Sequence, residues 1–143
     1  MNQTIISNIL QQIMAKIGSK LWIVQRPRGI PKHTMLIGAD VFHNTGKNKQ
    51  SVVGFCASMD RFFSKYASIP HVQEGKGAQE IVHCIGALME KALHEYKRVN
   101  GCLPALIVFY RDGVGESQMS FIMDIEIPAI KKTFKKFGKD YNP

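Results

Sequence analysis

Apolar residues recur along this chain with two periods, and the switches between them mark its elements. Near the start, Ile6, Ile9, Leu10, Ile13, Met14 and Ile17 fall three and four residues apart, which predicts an amphipathic helix over 4–17. Gly18 is placed to end it. Leu21 to Val24 is a short strand candidate, and Arg26 to Pro31, with two prolines and a glycine, is irregular. Three strands are then expected, over 35–42, 51–59 and roughly 61–69, and their short polar connectors favour an antiparallel meander. Pro70 to Gly77 reads as a polar, exposed loop. From Gln79 to Val99 the helical period returns. Ile81, Ile85, Leu88, Ala92, Tyr96 and Val99 make one stripe, opposite Glu90, Lys91, Glu95, Lys97 and Arg98, and Asn100-Gly101 ends the helix.

Ile107 to Tyr110 then follow Pro104 as a compact β-branched and aromatic run, the pattern of a buried strand in a parallel sheet. A strand–helix–strand return of this length implies a right-handed crossover. The order β-β-β-α-β therefore lets the last strand lie parallel to the first, and the fold class is α/β. After Gly115 the pattern predicts a helix over 116–125, a break near Ile127, and a second helix to about Phe137 with Pro128 in its first turn.

Both of the strands expected to run parallel end on an acid. Residues 35–42 lead to Asp40, and the run from Ile107 stops at Arg111-Asp112-Gly113. Ligands of open α/β sheets gather at the carboxyl ends of strands, which makes Asp112 a candidate, although an Asp-Gly pair is also ordinary turn chemistry. Neighbouring strands lie about 4.8 Å apart. Carboxylates at adjacent tips would repel each other unless a cation lay between them. Mg²⁺ is a hard ion that prefers oxygen ligands and suits such a pair. Phosphoryl chemistry with two such ions places them about 3.5–4 Å apart.

Composition adds three constraints. At 143 residues the chain is one domain or part of one. Nineteen Lys and Arg against eleven acids leave a formal charge of +8, which suggests a polyanionic partner. The basic tail of Lys131, Lys132, Lys135, Lys136 and Lys139 reads either as a solvated helix face or as a phosphate-contacting surface. Cys56, Cys84 and Cys102 are odd in number and widely spaced, which fits neither a disulfide framework nor a zinc pattern. A reducing compartment, cytoplasm or nucleus, is the expectation. No apolar run is long enough to span a bilayer and no secretory leader is recognisable, so no membrane partner is expected.

Several ordered segments resemble the Piwi domain of the Argonaute/Piwi family: residues 32–43 (KHTMLIGADVFH), 51–58 (SVVGFCAS), 79–82 (QEIV) and 108–114 (VFYRDGV). Their order and spacing match along nearly the whole chain, and residues 100–104 (NGCLP) and 126–128 (EIP) look closer to the Piwi branch. The resemblance implies an RNase H-like fold, truncated at its C-terminus. It also implies a guide-directed endoribonuclease that uses Mg²⁺ (or Mn²⁺) and a tetrad of three acids and a histidine. By position, Asp40 and Asp112 match the two metal-binding aspartates. Glu80 matches the mobile glutamate that joins them when guide and target are bound. Without the resemblance, Glu80 reads as an acid favoured in the first turn of a helix. Glu74, in the preceding loop, has neighbours that do not match.

Residues 7–18 (SNILQQIMAKIG) resemble the helix at the junction of the Mid and Piwi domains. That implies the end of a Mid domain over 1–24 and the N-terminal part of a Piwi domain over 25–143. Lys16 would contact the 5′-phosphate of a small guide RNA, with Gln12 supporting the pocket one turn earlier. The plainer reading of Lys16 is a cation favoured at a helix C-terminus. Ser19 stands where the family usually has a second glycine. The tetrad histidine lies beyond the family segment matching Pro143, and none of His33, His43, His71, His83 or His94 takes its place. The chain is therefore expected to be a fragment that by itself cuts little or not at all. Two functions follow: the catalytic core of a Piwi-type nuclease that cleaves target RNA, or a guide-RNA-binding silencing module that does not cut. A third, another RNase H-like nuclease such as a transposase core, predicts a different spacing of acids and no role for Lys16. Oligomeric state is left open.

Overall fold

The computed structural model describes residues 2–23, 25–43, 50–73 and 82–143. Helix α1 (Gln3–Lys16) starts where the Asn2 side chain accepts the Thr4 amide at 3.0 Å, and Gly18 turns the chain away at φ 84°. The helix buries none of its residues: Ile5, Ile9, Leu10 and Ile13 all stand about half exposed. Leu21 to Ile23 do not form the expected strand. They carry no partner strand, and an extended run without a ladder leaves its amides unpaired.

Four strands follow. β1 (Thr34–His43) and β2 (Ser51–Ser58) form an antiparallel pair, with Ile37 opposite Ala57 and Phe42 opposite Val52. Of the third strand expected over 61–69 only β3 (Tyr66–Ser68) forms, since residues 61–65 turn the chain under Asp60, and a further short strand, β4 (His71–Gln73), follows it; both are antiparallel to β2. Pro70 between them has no amide to donate, so the ladder breaks there. The loop expected over Pro70 to Gly77 accordingly begins with paired strand, and residues 74–77 fall outside the described residues.

Helix α2 (Ile85–Asn100) begins later than its pattern suggests. Residues 79–81 lie outside the described residues, while Val82 and His83 give their amides to the side chains of Glu126 and Gln73 at 2.8 and 3.1 Å. Those amides are thus used by distant elements instead of by a helical turn. Gly101 closes α2 in the left-handed conformation. The chain returns as β5 (Leu106–Arg111), parallel to β1 with Thr34 opposite Leu106 and Ala39 opposite Arg111. The sheet order is β3-β2-β1-β5, with β4 also on β2.

The two helices expected after Gly115 are one continuous piece. A 3₁₀ turn (Glu116–Gln118) leads into a single α-turn, α3 (Met119–Phe121), then a π-helical turn (Ile122–Glu126), then α4 (Ile127–Phe134). Pro128 does not break the chain, because it directly follows the π-helical turn, whose wider spacing already interrupts the i→i−4 ladder that a proline would break. The Ile127 amide still reaches back to the Ile122 carbonyl, the wide spacing of a π-turn.

α2 and α4 cover one face of the sheet. Met35, Ile37, Ala39 and Val41 of β1 and Val53, Phe55 and Ala57 of β2 meet Leu88, Met89, Leu93 and Tyr96 of α2 and Ile130 and Phe134 of α4. The helices approach closely where Gly86 faces Thr133, whose hydroxyl donates to the Gly86 carbonyl at 3.1 Å. Beyond α4, the Tyr141 hydroxyl donates to the Pro104 carbonyl at 2.9 Å and its ring packs edge-on against Phe134. Leu93 is fully buried, so Leu93→Ala should cost about 2–5 kcal/mol, read from urea unfolding.

Asp60 ties the segment after α1 to the turn between β2 and β3. It pairs with Lys20 Nζ at 2.6 Å and accepts the Ser64 amide at 2.8 Å, the Ser64 hydroxyl at 2.9 Å and the Lys65 amide at 2.9 Å. Burial raises the Asp60 pKa, but the bonds from Lys20, Lys65 and Ser64 outweigh it and hold the group at about 2. A depressed folded value contributes stability that is present above the unfolded value near 4 and lost as pH falls toward 2. Between those limits the wild type should lose up to about 2 kcal/mol that Asp60→Asn does not, in denaturant titrations at stepped pH.

Candidate active site

The parallel pairing of β1 with β5 decides where the acids go. Ala39 is opposite Arg111, and the Asp112 amide extends the ladder by donating to the Ala39 carbonyl at 3.0 Å. Asp40 and Asp112 therefore occupy equivalent positions on neighbouring strands. In a strand, side chains alternate between faces. Ala39 is buried in the core while Asp40 is exposed, so the acids lie on the face that α2 and α4 leave open. Asp112 is likewise exposed. Asp40 does not end its strand, as the sequence suggests; β1 runs on to His43 because its pairing with β2 continues past the end of β5.

Each carboxylate is oriented by the next peptide. Asp40 Oδ1 accepts the Val41 amide at 2.8 Å, and Asp112 Oδ1 accepts the Gly113 amide at 2.8 Å. One oxygen of each is thus held, and no ion pair to either acid occurs among the described residues. The floor around them is bare. Gly54 lies directly across from Asp40 and Gly38 two residues before it, and a Cβ at Gly38 would meet nothing within 4 Å. Phe42 and Tyr110, both about two-thirds exposed, flank the pair on the same face. An extended anionic chain could approach this surface without meeting a side-chain wall.

Two hard oxygen donors side by side fit part of a divalent-cation site. Among the described residues no group of three or more His, Cys, Asp or Glu gathers to complete one. Glu80, the third acid expected from the resemblance, and its neighbour candidate Glu74 lie outside the described residues. Of the histidines, His33 Nδ1 meets Cys102 Sγ at 3.2 Å, His94 stacks on Phe137 at 4.8 Å, and His43 Nδ1 meets Ser51 Oγ at 2.9 Å. Gln12 and Lys16 are exposed in the second half of α1, one turn apart and so on one face. No ion pair ties Lys16 to the other described residues.

Two residues of this region were not singled out by sequence. The Arg111 side chain points into the core opposite the acids and is only 7% exposed; that of its partner, Glu126, is fully enclosed. Arg111 Nε donates to both Glu126 oxygens at 3.3 and 3.4 Å, and another arm of the guanidinium donates to the Asp112 carbonyl. A signal for Glu126 exists in the pattern. It stands four residues after Ile122 and four before Ile130, an acid on an otherwise buried apolar stripe.

Comparison with known proteins places this arrangement. The family model of the Piwi domain matches residues 1–143. The chain belongs to the Piwi-domain family. It is 38% identical over 139 residues to Piwi-like protein 1 of Gallus gallus, covering 97% of this chain and 16% of that protein. Among solved structures, Drosophila Piwi superposes with a TM-score of 0.73 at 27% identity, covering 94% of this Piwi-domain chain and 18% of that one. Kluyveromyces polysporus Argonaute, solved with a guide RNA, gives a TM-score of 0.68 at 31% identity over 84% of this chain and 14% of its own. The chain thus spans about a sixth of the relatives' length. The open mixed sheet is that of an RNase H-like fold, as the resemblance implied and in agreement with the strand order expected from the pattern. Among the described residues, no helix is long and apolar enough to cross a membrane.

Proposed function

We propose that this Piwi-domain chain is the part of a small-RNA-guided silencing protein that carries the acids for cleaving target RNA. The observation that supports this most is the in-register placement of Asp40 and Asp112 on adjacent parallel strands, exposed on one bare face. Asp40 and Asp112 would hold Mg²⁺ or Mn²⁺, which supply Lewis-acid stabilisation of the charge that develops on a scissile phosphate. The amides of Val41 and Gly113 keep one oxygen of each acid in place. Gly38 and Gly54 leave room for the sugar–phosphate chain. Glu80 is the third acid in this reading, on the strength of the resemblance.

Guide and target RNA are the proposed partners. A relative solved with a guide RNA and the formal charge of +8 support that reading. A cleft of about 430 Å³ lined by Arg26, Lys32 and Arg61 adds to the basic surface. Gln12 and Lys16 are the candidates for the guide's 5′-phosphate, since both are exposed on one face of α1 and a phosphate there would meet an ammonium that has no ion pair among the described residues.

In the full-length protein, Asp112→Ala should abolish Mg²⁺-dependent cleavage of a guide-paired RNA while guide binding persists. Cleavage retained in that variant removes Asp112 from the chemistry. A wild type that binds guide and never cuts is the other member of the pair of functions, a silencing module that works by binding. Lys16→Ala should weaken guides bearing a 5′-phosphate more than guides with a 5′-hydroxyl, in filter-binding titrations. Equal losses would take Lys16 out of the pocket.

A further inference from the structure

The end of the sheet away from the acids gathers cations in a cleft. β2 ends at Ser58 beside the start of β1, since Ile37 is opposite Ala57. Residues 26–32 lead into β1 at that end, and Arg61 follows β2 there. Thr34 and Asp40 are six strand residues apart, so about 20 Å separates this end from the acids. Arg26, Lys32 and Arg61 line one cleft of about 430 Å³, and Gln25, Ile23 and Phe62 complete its wall. A neighbouring cleft shares Gln25 and Arg26 and adds Arg28, so the basic lining continues along the chain.

Like charges gathered in one concavity repel one another unless an anion joins them. Among the described residues Arg26, Lys32 and Arg61 form no ion pair, and Asp60, the acid beside Arg61 in sequence, pairs with Lys20 at 2.6 Å. The cluster is also held in place. The Arg61 guanidinium lies 4.4 Å from the centre of the Phe62 ring, a cation–π contact that limits its rotamers. Pro27 and Pro31 fix the backbone on either side of a tight turn, closed by the Ile30 amide on the Pro27 carbonyl at 3.4 Å, with Gly29 left-handed at φ 89°. Arginine presents a planar fork of donors that matches phosphate oxygens, and Phe62 and Ile23 offer an apolar wall to ribose or base.

We propose that this cleft is a further RNA-binding site, in which Arg26, Lys32 and Arg61 hold successive backbone phosphates of a strand at the far end of β1 from the acidic pair. Contacts of this kind respond to charge and carry no sequence information. The inference rests on RNA as the partner and is independent of any metal at Asp40 and Asp112.

A labelled single-stranded RNA with a 5′-hydroxyl, which gives Lys16 no 5′-phosphate to bind, is titrated into the 143-residue chain. Fluorescence anisotropy is read at stepped KCl concentrations. Each phosphate contact on a single strand contributes about 0.7 to the slope of log K against log salt. Arg26→Gln, Lys32→Gln and Arg61→Gln together should therefore lower that slope by about 2, equally for RNAs of different sequence and with the circular dichroism spectrum unchanged. The control is Lys131→Gln, Lys132→Gln and Lys135→Gln, three exposed positions of the tail that remove the same charge. It should lower the slope by less than about 0.7. A slope that falls equally in both triple variants reports net charge alone and overturns the proposal. An acidic peptide that loses as much affinity as the RNA from the cleft substitutions makes the cleft a protein-docking site and overturns it too. If the cleft variant fails to fold, the three single substitutions are read instead, and slopes unchanged in all three overturn the proposal. RNA binding in the wild type that ignores the cleft substitutions overturns the cleft and leaves RNA standing as the partner. No RNA binding by the wild type overturns RNA as the partner and this inference with it.

Discussion

The register between β1 and β5 is the constraint on which this site depends. A strand's side chains alternate, so a slip of one residue would carry one aspartate to the core face and leave the other in solvent. Several features hold the register. The Ala105 amide donates to the His33 carbonyl at 2.7 Å below the paired region, and the Asp112 amide does the same to Ala39 above it. Between them the core-facing residues of β1 and β5, Met35, Ile37, Ile107 and Phe109, pack in one cluster with α2. Hydrophobic burial on one face therefore fixes the alignment of charges on the other.

That division of labour explains the asymmetry of the sheet. One face is covered by α2 and α4 and carries nearly all the buried apolar residues. The other carries two acids, two glycines and a scatter of exposed rings and aliphatics, including Phe42, Val52, Tyr66, Val72 and Tyr110. A packed face resists movement, because interiors are dense and poorly compressible. The acids thus stand on a rigid floor, held at a spacing set by backbone hydrogen bonds.

The ion pair beneath the floor follows a different logic. Burying Arg111 and Glu126 removes both from water, and such pairs seldom add net stability; losing one partner is far worse, at about 3–5 kcal/mol. Their value lies in placement. The pair links the end of β5, the π-turn before α4 and the chain just before α2, three segments far apart in sequence that converge behind Asp112.

Much of this was legible from local pattern. The three- and four-residue spacing of α1 and α2, the apolar runs of β1, β2 and β5, and the parallel return of the last strand all follow from periodicity and connection length, which are local properties. So does the pairing of Asp40 with Asp112 as a hypothesis, since both acids terminate apolar runs expected to be neighbours. The resemblance carried by residues 32–43 and 108–114 pointed to the same family that the comparisons show. Other features depended on which groups met across the fold. The late start of α2 reflects where two amides found their acceptors, Val82 on Glu126 and His83 on Gln73, and that choice is made by distant residues. Arg111 and Glu126 became partners only when the sheet and the π-turn came together. Periodicity reveals which face a residue occupies; it takes the packed chain to show what that residue touches there.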